Sequence, residues 1–393
     1  MKIQTLFPGG FSWLLCFALT FALPARAATP APITDEECNS FGEELAGYFN
    51  AGKHAEAVRL LDGYALVGRI TQGLEMEESD LNDFRAGYIG NVSKTLASSY
   101  STFPSAHYLR AQTVDGERRL LVRCVSDKGA VNFMAFVPAR RASGGLKWID
   151  VYTYMNGELL SESSRRAILP LLAESKKNFL EKLSTSESNF VKSFPKATEA
   201  AKLIQEGKAA EAYAMLNALP ADVRSHRFVL NLRLAAAQRV DEKEYLKVIS
   251  DWEKAYPGDP SLDLISIDGD FMRKDYARGI KRLDSLSARL GGDNYLLFLK
   301  GNLQMMAGDN EAARKTARAV IAAEPALTSA WDTLLSISLS EKKYSETVTL
   351  LAEVEAMYAG AKMKPVIDKL EAYAEFRKSA EYKAWADKQA KSE

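Results

Sequence analysis

The carboxylate best placed for chemistry is Asp150. It alternates with Trp148, Tyr152 and Tyr154, so at strand spacing the four share one face. A carboxylate held among aromatic rings has a raised pKa and can move protons, with tyrosine hydroxyls as donors. The bland account is an Asp on a solvent face, or one paired with Arg110 or Arg123 on neighbouring strands. It outweighs the catalytic one, because an aromatic stripe is more often core than cofactor box. The three histidines, His54, His107 and His226, lie far apart, and none has metal-ligand spacing to a cysteine or another histidine. Each reads as a surface or loop residue rather than a ligand. The chain has no Gly-x-Ser-x-Gly elbow, no phosphate loop and no dinucleotide fingerprint. Gly291-Gly292 reads as a turn between helices. The expectation is therefore no enzyme, no cofactor and no metal.

The bulk composition excludes other classes. Hydrophobic residues make up 47% and charged residues 26% of the 393, which is ordinary for a folded soluble chain and excludes wholesale disorder. Lys plus Arg and Asp plus Glu both total 51, so there is no basic excess to attract nucleic acid. The length predicts at least two units.

Residues 1–27 have the layout of a signal peptide: Lys2, an apolar run from Phe11 to Leu23, Pro24, then Ala25-Arg26-Ala27. The run falls short of the ~20 residues a membrane-crossing helix needs. Cleavage after Ala27 is expected, giving an exported chain, periplasmic or secreted, with no transmembrane segment left. Loss of Lys2 and Arg26 takes the formal charge from zero to −2. Cys16 lies inside the apolar run without the small preceding residue that lipidation wants. Cys38 and Cys124 remain, either as a disulfide, which an oxidising compartment permits, or as two buried thiols.

These residues need elements to position them. Residues 28–34 form a Pro-containing linker, and Thr34 or Asp35 is the N-cap of a first helix. Helical periodicity runs through Phe41, Leu45, Tyr48 and Phe49, breaks at Gly52-Lys53, and resumes at Ala57, Leu60 and Leu61. A third helix is predicted from Ser79 to Tyr100. The period then drops to two, giving strands over His107–Val114, Arg118–Val125, Val131–Ala139 and Lys147–Met155, with Asp115-Gly116 and Lys128-Gly129 as tight turns. A four-stranded antiparallel meander with one face covered by the preceding helices fits. A helix follows over Leu159–Leu183, with Ser184-Thr185-Ser186 and Pro195 marking a boundary. An α+β unit is thus assigned to residues 35–190.

From there the pattern is helical and repeats at about 34 residues. The stretch Asn294–Pro325 carries Leu297, Gly301, Gly308, Ala313 and Pro325 at the fourth, eighth, fifteenth, twentieth and thirty-second places. This stretch resembles the tetratricopeptide repeat. Small residues at Gly301 and Ala313 suit helices that cross closely, Gly308 ends the first helix, and Pro325 stops the second. The register extends to Trp331, Leu335, Tyr344 and Leu351 on one side. On the other it runs to Asp263, Ile267, Tyr276 and Leu283, then Val229, Trp252 and Pro257. Residues 191–361 are assigned to an all-α, tetratricopeptide-like helical solenoid, and residues 362–393 to a capping helix. The resemblance implies a concave groove lined by the first helix of each repeat. Its inward places would be Tyr295, Phe298, Asn302 and Met305 in one unit, Ser261, Leu264, Asp268 and Phe271 before it, and Ser329, Asp332, Ser336 and Leu339 after it. The lysine pairs with which some members clamp a C-terminal carboxylate are absent there. The residues expected to bind are Leu264, Asp268, Phe271, Tyr295, Phe298, Asn302, Met305 and Asp332.

By the order of its elements alone, the N-terminal unit resembles the nuclear transport factor 2-like cone. That resemblance implies a pocket between sheet and helices. Two functions follow as expectations: a non-enzymatic scaffold holding an unknown peptide or protein in the groove, or a protein binding or sensing a small apolar ligand in the cone. Another outcome is that the groove packs on the N-terminal unit or the chain's own tail.

Overall fold

The computed structural model describes residues 32–392 apart from 75, 142, 176–182 and 359. The stretch read as a signal peptide with its Cys16, most of the expected linker, and the last turns expected of the Leu159–Leu183 helix lie outside the described residues. Thr34 opens α1 (Asp35–Asn50) with a reciprocal cap: its hydroxyl accepts from Glu37 N at 3.2 Å and its own N–H donates to Glu37 at 2.9 Å. The helix expected to resume through Leu61 is instead split in two, α2 (His54–Arg59) and α3 (Gly63–Thr71). The backbone around Leu60–Asp62 leaves the helix to bond Trp148 in both directions (3.0 and 2.8 Å), and Asp62 then caps α3 through Ala65 N. Next comes α4 (Glu78–Tyr100).

The sheet is antiparallel in the order β1 (Ser105–Val114), β2 (Glu117–Val125), β3 (Val131–Arg140), β4 (Leu146–Thr153) and a short β5 (Glu158–Leu159). The expected meander therefore gains a fifth strand, formed as the Asn156-Gly157 turn folds the chain back on Tyr152 and Thr153. Asp115 and Gly116 both take left-handed backbone angles, as a two-residue hairpin turn demands.

The preceding helices cover one face of the sheet as expected, and the helical half, which was not expected there, buries the other. On one, Leu120, Val122, Cys124, Met134, Phe136, Trp148 and Val151 pack against Phe41, Leu45, Phe49, Leu66 and Ile70 of the N-terminal helices. On the other, Leu121, Phe133, Ala135 and Tyr154 pack against leucines 283, 286, 290, 296 and 303 of the helical half. This is why β2 and β3 are buried almost continuously rather than at every second residue.

Beyond β5 come α5 (Leu160–Ser175) and α6 (Thr185–Gln205), the latter capped by Ser184 and Glu187. Pro195, expected at a boundary, sits inside α6, so the assigned edge at residue 190 falls within a continuous helix. Then follow α7 (Ala209–Asn217), α8 (Ala221–Arg224) and four hairpins of helices: α9 (Arg227–Ala237) with α10 (Glu242–Ala255), α11 (Pro260–Met272) with α12 (Tyr276–Leu290), α13 (Asn294–Met306) with α14 (Asn310–Ala323), and α15 (Ser329–Ser340) with α16 (Tyr344–Met357). The second helices start at 242, 276, 310 and 344, each 34 residues after the last. Lys274, Gly308 and Lys342, at the same spacing, all adopt positive φ in the turns within the hairpins. A Cβ on Gly301 would lie 3.3 Å from Thr316 Cγ2 of the partner helix, which accounts for the small residue there.

The tail is not one capping helix but α17 (Lys364–Lys369), a tight turn at Glu371–Tyr373, α18 (Ala374–Lys378) and α19 (Ala380–Ser392). Leu370 and Ser379 take extended angles and break it. Its pieces bury Ile367, Tyr373, Phe376 and Trp385 against Leu350, Leu351 and Val354 of α16. Among the described residues no helix is long and apolar enough to cross a membrane.

Candidate binding cavity

Residues three or four apart on a helix share a face, and a 34-residue period brings that face round in each hairpin. In the structure, Asp268 and Phe271 of α11, Tyr295, Phe298, Asn302 and Met305 of α13, and Asp332 of α15 line one cavity of about 630 Å³. Ser329 and Ser336 join them. Leu264 does not. It packs into the apolar layer between the sheet and the helical half. Leu339 packs toward the C-terminal core, and Ser261 is buried beside Asp259, which accepts from its backbone N–H at 2.8 Å.

The cavity has a wall that the repeat pattern does not contain. Gly129, at the β2–β3 turn, reaches it, and its carbonyl accepts a 2.7 Å hydrogen bond from the Tyr295 hydroxyl. Tyr295 is thereby buried, with Phe298 edge-on at 5.5 Å between ring centres and the Arg123 guanidinium over its other side at 5.7 Å. The Thr333 hydroxyl donates to Asn302 at 2.7 Å, fixing the amide's orientation. Phe271 and Met306 remain exposed at the mouth. The cavity is therefore walled in part by the N-terminal unit and in part open.

The electrostatics are one-sided. The described lining holds two carboxylates, Asp268 and Asp332, and no Lys, Arg or His. Water reaches both through the mouth, yet the surrounding concave wall raises both above the usual carboxylate range. At Asp268 the Tyr245 hydroxyl partly opposes that shift, whereas nothing opposes it at Asp332.

Behind this wall a buried ion cluster ties the two halves together. Arg123 of β2 bonds Asp293 at 2.7 Å and engages both oxygens of Glu324. Burial works against charge on Glu324, but the Arg123 hydrogen bonds outweigh it and hold the carboxyl below its ordinary value. Asp293 also caps α13 through Leu296 N. Arg110 donates to the carbonyls of Gly291 and Gly292. Neither arginine pairs with Asp150, as the bland account had supposed.

Asp150's partners come from elsewhere. Arg69 of α3 donates to it at 2.8 Å, and Val151 N, Ser161 N and the Ser161 hydroxyl complete its shell. Burial raises its pKa and these bonds oppose the rise. The expected stripe also breaks. β4 skips Ile149 in its pairing with β3, so Trp148 turns into the N-terminal core while Tyr152 and Tyr154 face the helical half. The fully buried Asp150 is thus a strut between α3, β4 and α5.

The place where a cone pocket was expected, between the sheet and α1–α4, is filled by Phe49, Tyr100, Phe136, Trp148 and their neighbours. Cys38 and Cys124 are both buried there as free thiols. His226 lies in the bend between α8 and α9, a loop position as expected, but half-buried: it stacks on Phe190 at 4.2 Å, and burial, aided by Arg166 and Arg227, lowers its pKa to about 4. His54 lies edge-on to Phe49, and His107 pairs with Arg123 across the sheet. No group of three or more potential metal ligands exists among the described residues.

No protein-family profile matches the chain, and no characterised protein is detectably similar to it.

Proposed function

We propose that the chain is an exported, non-enzymatic binding protein whose helical half is a tetratricopeptide-like solenoid, and that it holds an extended peptide or protein segment in the concave face. The observation that carries this reading is the cavity itself. Equivalent places on three successive hairpins, at α11, α13 and α15, converge on one apolar hollow with aromatic anchors. A chain-like ligand is favoured over a compact one because a second hollow adjoins the first at Tyr295. A second cavity of about 480 Å³ shares Gly129, Tyr295 and Ser329 with it and continues past His107, Ser126 and Glu324. A ligand running through both would find apolar anchoring first and hydrogen-bonding groups after.

The test is site-specific photocrosslinking in the producing cell. A photoreactive residue is placed at Phe271, at the mouth, or at Tyr64, which is exposed on α3 outside the cavity lining. A discrete adduct at position 271 only, lost on Phe298→Ala, is expected. The same adducts from both positions, or none at 271, refute the groove reading. Sequencing the N-terminus of the protein from that cell checks export, with Ala28 expected first.

A further inference from the structure

Acidic side chains are plentiful in the helical half, and those near its packed surfaces are paired. Asp270 meets Arg278 and Arg282, Asp259 meets Arg227, Glu341 meets Arg314, and Asp293 and Glu324 share Arg123. Asp268 and Asp332 are placed differently, exposed to the cavity rather than packed. They flank the α13 aromatics from either side, on α11 and α15, and among the described residues neither has a cationic partner. Asn302 shares the repeat place of Asp268, Asp332 shares that of Phe298, and Phe271 and Phe298 line the same hollow.

A hollow with this lining has a definite complement. Two acids and no base repel a carboxylate or phosphate, and a wholly apolar ligand would take water from both carboxylates and return nothing. A lysine or arginine side chain satisfies every part. Its apolar stem lies on Phe298, Leu299 and Met305, and its charged head reaches the carboxylates while passing an aromatic face. On the peptide-binding reading above, we propose that the segment held in the groove is anchored by a basic side chain, lysine or arginine, flanked by apolar residues and seated between Asp268 and Asp332. This is the opposite polarity to a carboxylate clamp. The recognised feature is therefore an internal basic residue rather than a chain end.

The probe is a phage-displayed library of random twelve-residue peptides, selected on the full chain. Selection should enrich sequences with a Lys or Arg beside apolar residues. For a synthetic winner, replacing that basic residue by norleucine should weaken binding about tenfold, the scale of one charge-assisted contact. Asp268→Asn with Asp332→Asn should erase this preference while retaining the apolar one. Both carboxylates are open to water, so the double variant is expected to fold, and an unchanged melting curve checks that. If the winners carry no basic residue, or the norleucine peptide binds equally, the cationic anchor is wrong and the groove reading survives. If nothing is enriched, or enrichment is indifferent to Phe298→Ala, both readings fall together.

Discussion

Replacing Arg123 by Met should loosen the joint between the sheet and the helical half more than any other single change at that interface. The Arg123 side chain is 6% exposed and those of Asp293 and Glu324 are 0% and 15% exposed, so three charges share one nearly dry site. With the arginine gone, Asp293 keeps its helix-cap bond from Leu296 N but becomes an uncompensated buried charge, and Glu324 keeps a hydrogen bond from Asn294 at 3.2 Å. Losing one member of such a cluster costs about 3–5 kcal/mol, mostly as the penalty of the charge left behind. That origin makes the prediction checkable by a second change. Asp293→Asn retains an oxygen to cap α13 but removes the stranded charge, so Arg123→Met with Asp293→Asn should recover about 2 kcal/mol relative to Arg123→Met alone. Urea unfolding at neutral pH, followed by tryptophan fluorescence and by far-ultraviolet circular dichroism, reads both quantities. The single variant should also separate the two probes' transitions, because the halves would no longer unfold as one. A loss under 1 kcal/mol with coincident transitions would falsify the view that this cluster couples the units.

Two further outcomes follow from local geometry. His226 is held neutral, with its pKa near 4 against 6.5 when free, so the unfolded chain binds the extra proton. Its contribution is complete above about pH 6.5 and drains away as the pH falls toward 4, on the order of 3 kcal/mol in all. Unfolding of the native chain and of His226→Leu between pH 7.5 and 4.5 should therefore diverge at the acid end, and parallel curves would refute the assignment. Gly157 has φ +70°, and a Cβ there would stand 2.2 Å from Arg227 Nη1 and 2.5 Å from Ser261 Oγ. Gly157→Ala should cost about 2–3 kcal/mol, against about 1 for Gly144→Ala, which has the same left-handed strain and open space around it. Equal losses at the two sites would show that the contact with the helical half is irrelevant.

The helical half was legible in the sequence because its signal is local and repeated. One turn chemistry, a small residue at 301 and a stop at Pro325 are each set by neighbours within one hairpin, and a period of 34 multiplies them. The groove residues followed from that register, which is why Asp268, Phe298 and Asp332 meet although 64 positions separate the first from the last. What the sequence did not contain was the docking of the halves. Alternation along β2 and β3 was too weak to show which face was buried, since both were. The partners of Arg110 and Arg123 lie some 170–200 residues away, beyond the reach of any local pattern. Asp150 was misplaced for a different reason: the single skipped residue at Ile149 inverts the facing of Trp148, and nothing in the run Trp148–Tyr154 announces a bulge.

The same docking explains why the open part of the groove lies where it does. The sheet covers leucines on α12 and α13, and its reach ends at the Gly129 turn, which rests on Tyr295. Past that turn, the cavity is lined by α11, α13 and α15, and Gly129 is its one lining residue from the N-terminal unit among the described residues. Residues that the repeat register points inward, Phe298, Asn302 and Asp332, are left facing a hollow. Tyr295 therefore stands at the border of two interfaces: its hydroxyl holds the turn, its ring lies beneath Arg123, and its edge meets Phe298. A ligand seated on Phe298 abuts the side chain on which the two halves close. On the proposed binding function, affinity for the ligand and rigidity of the joint would draw on shared contacts, so Tyr295→Phe should weaken both.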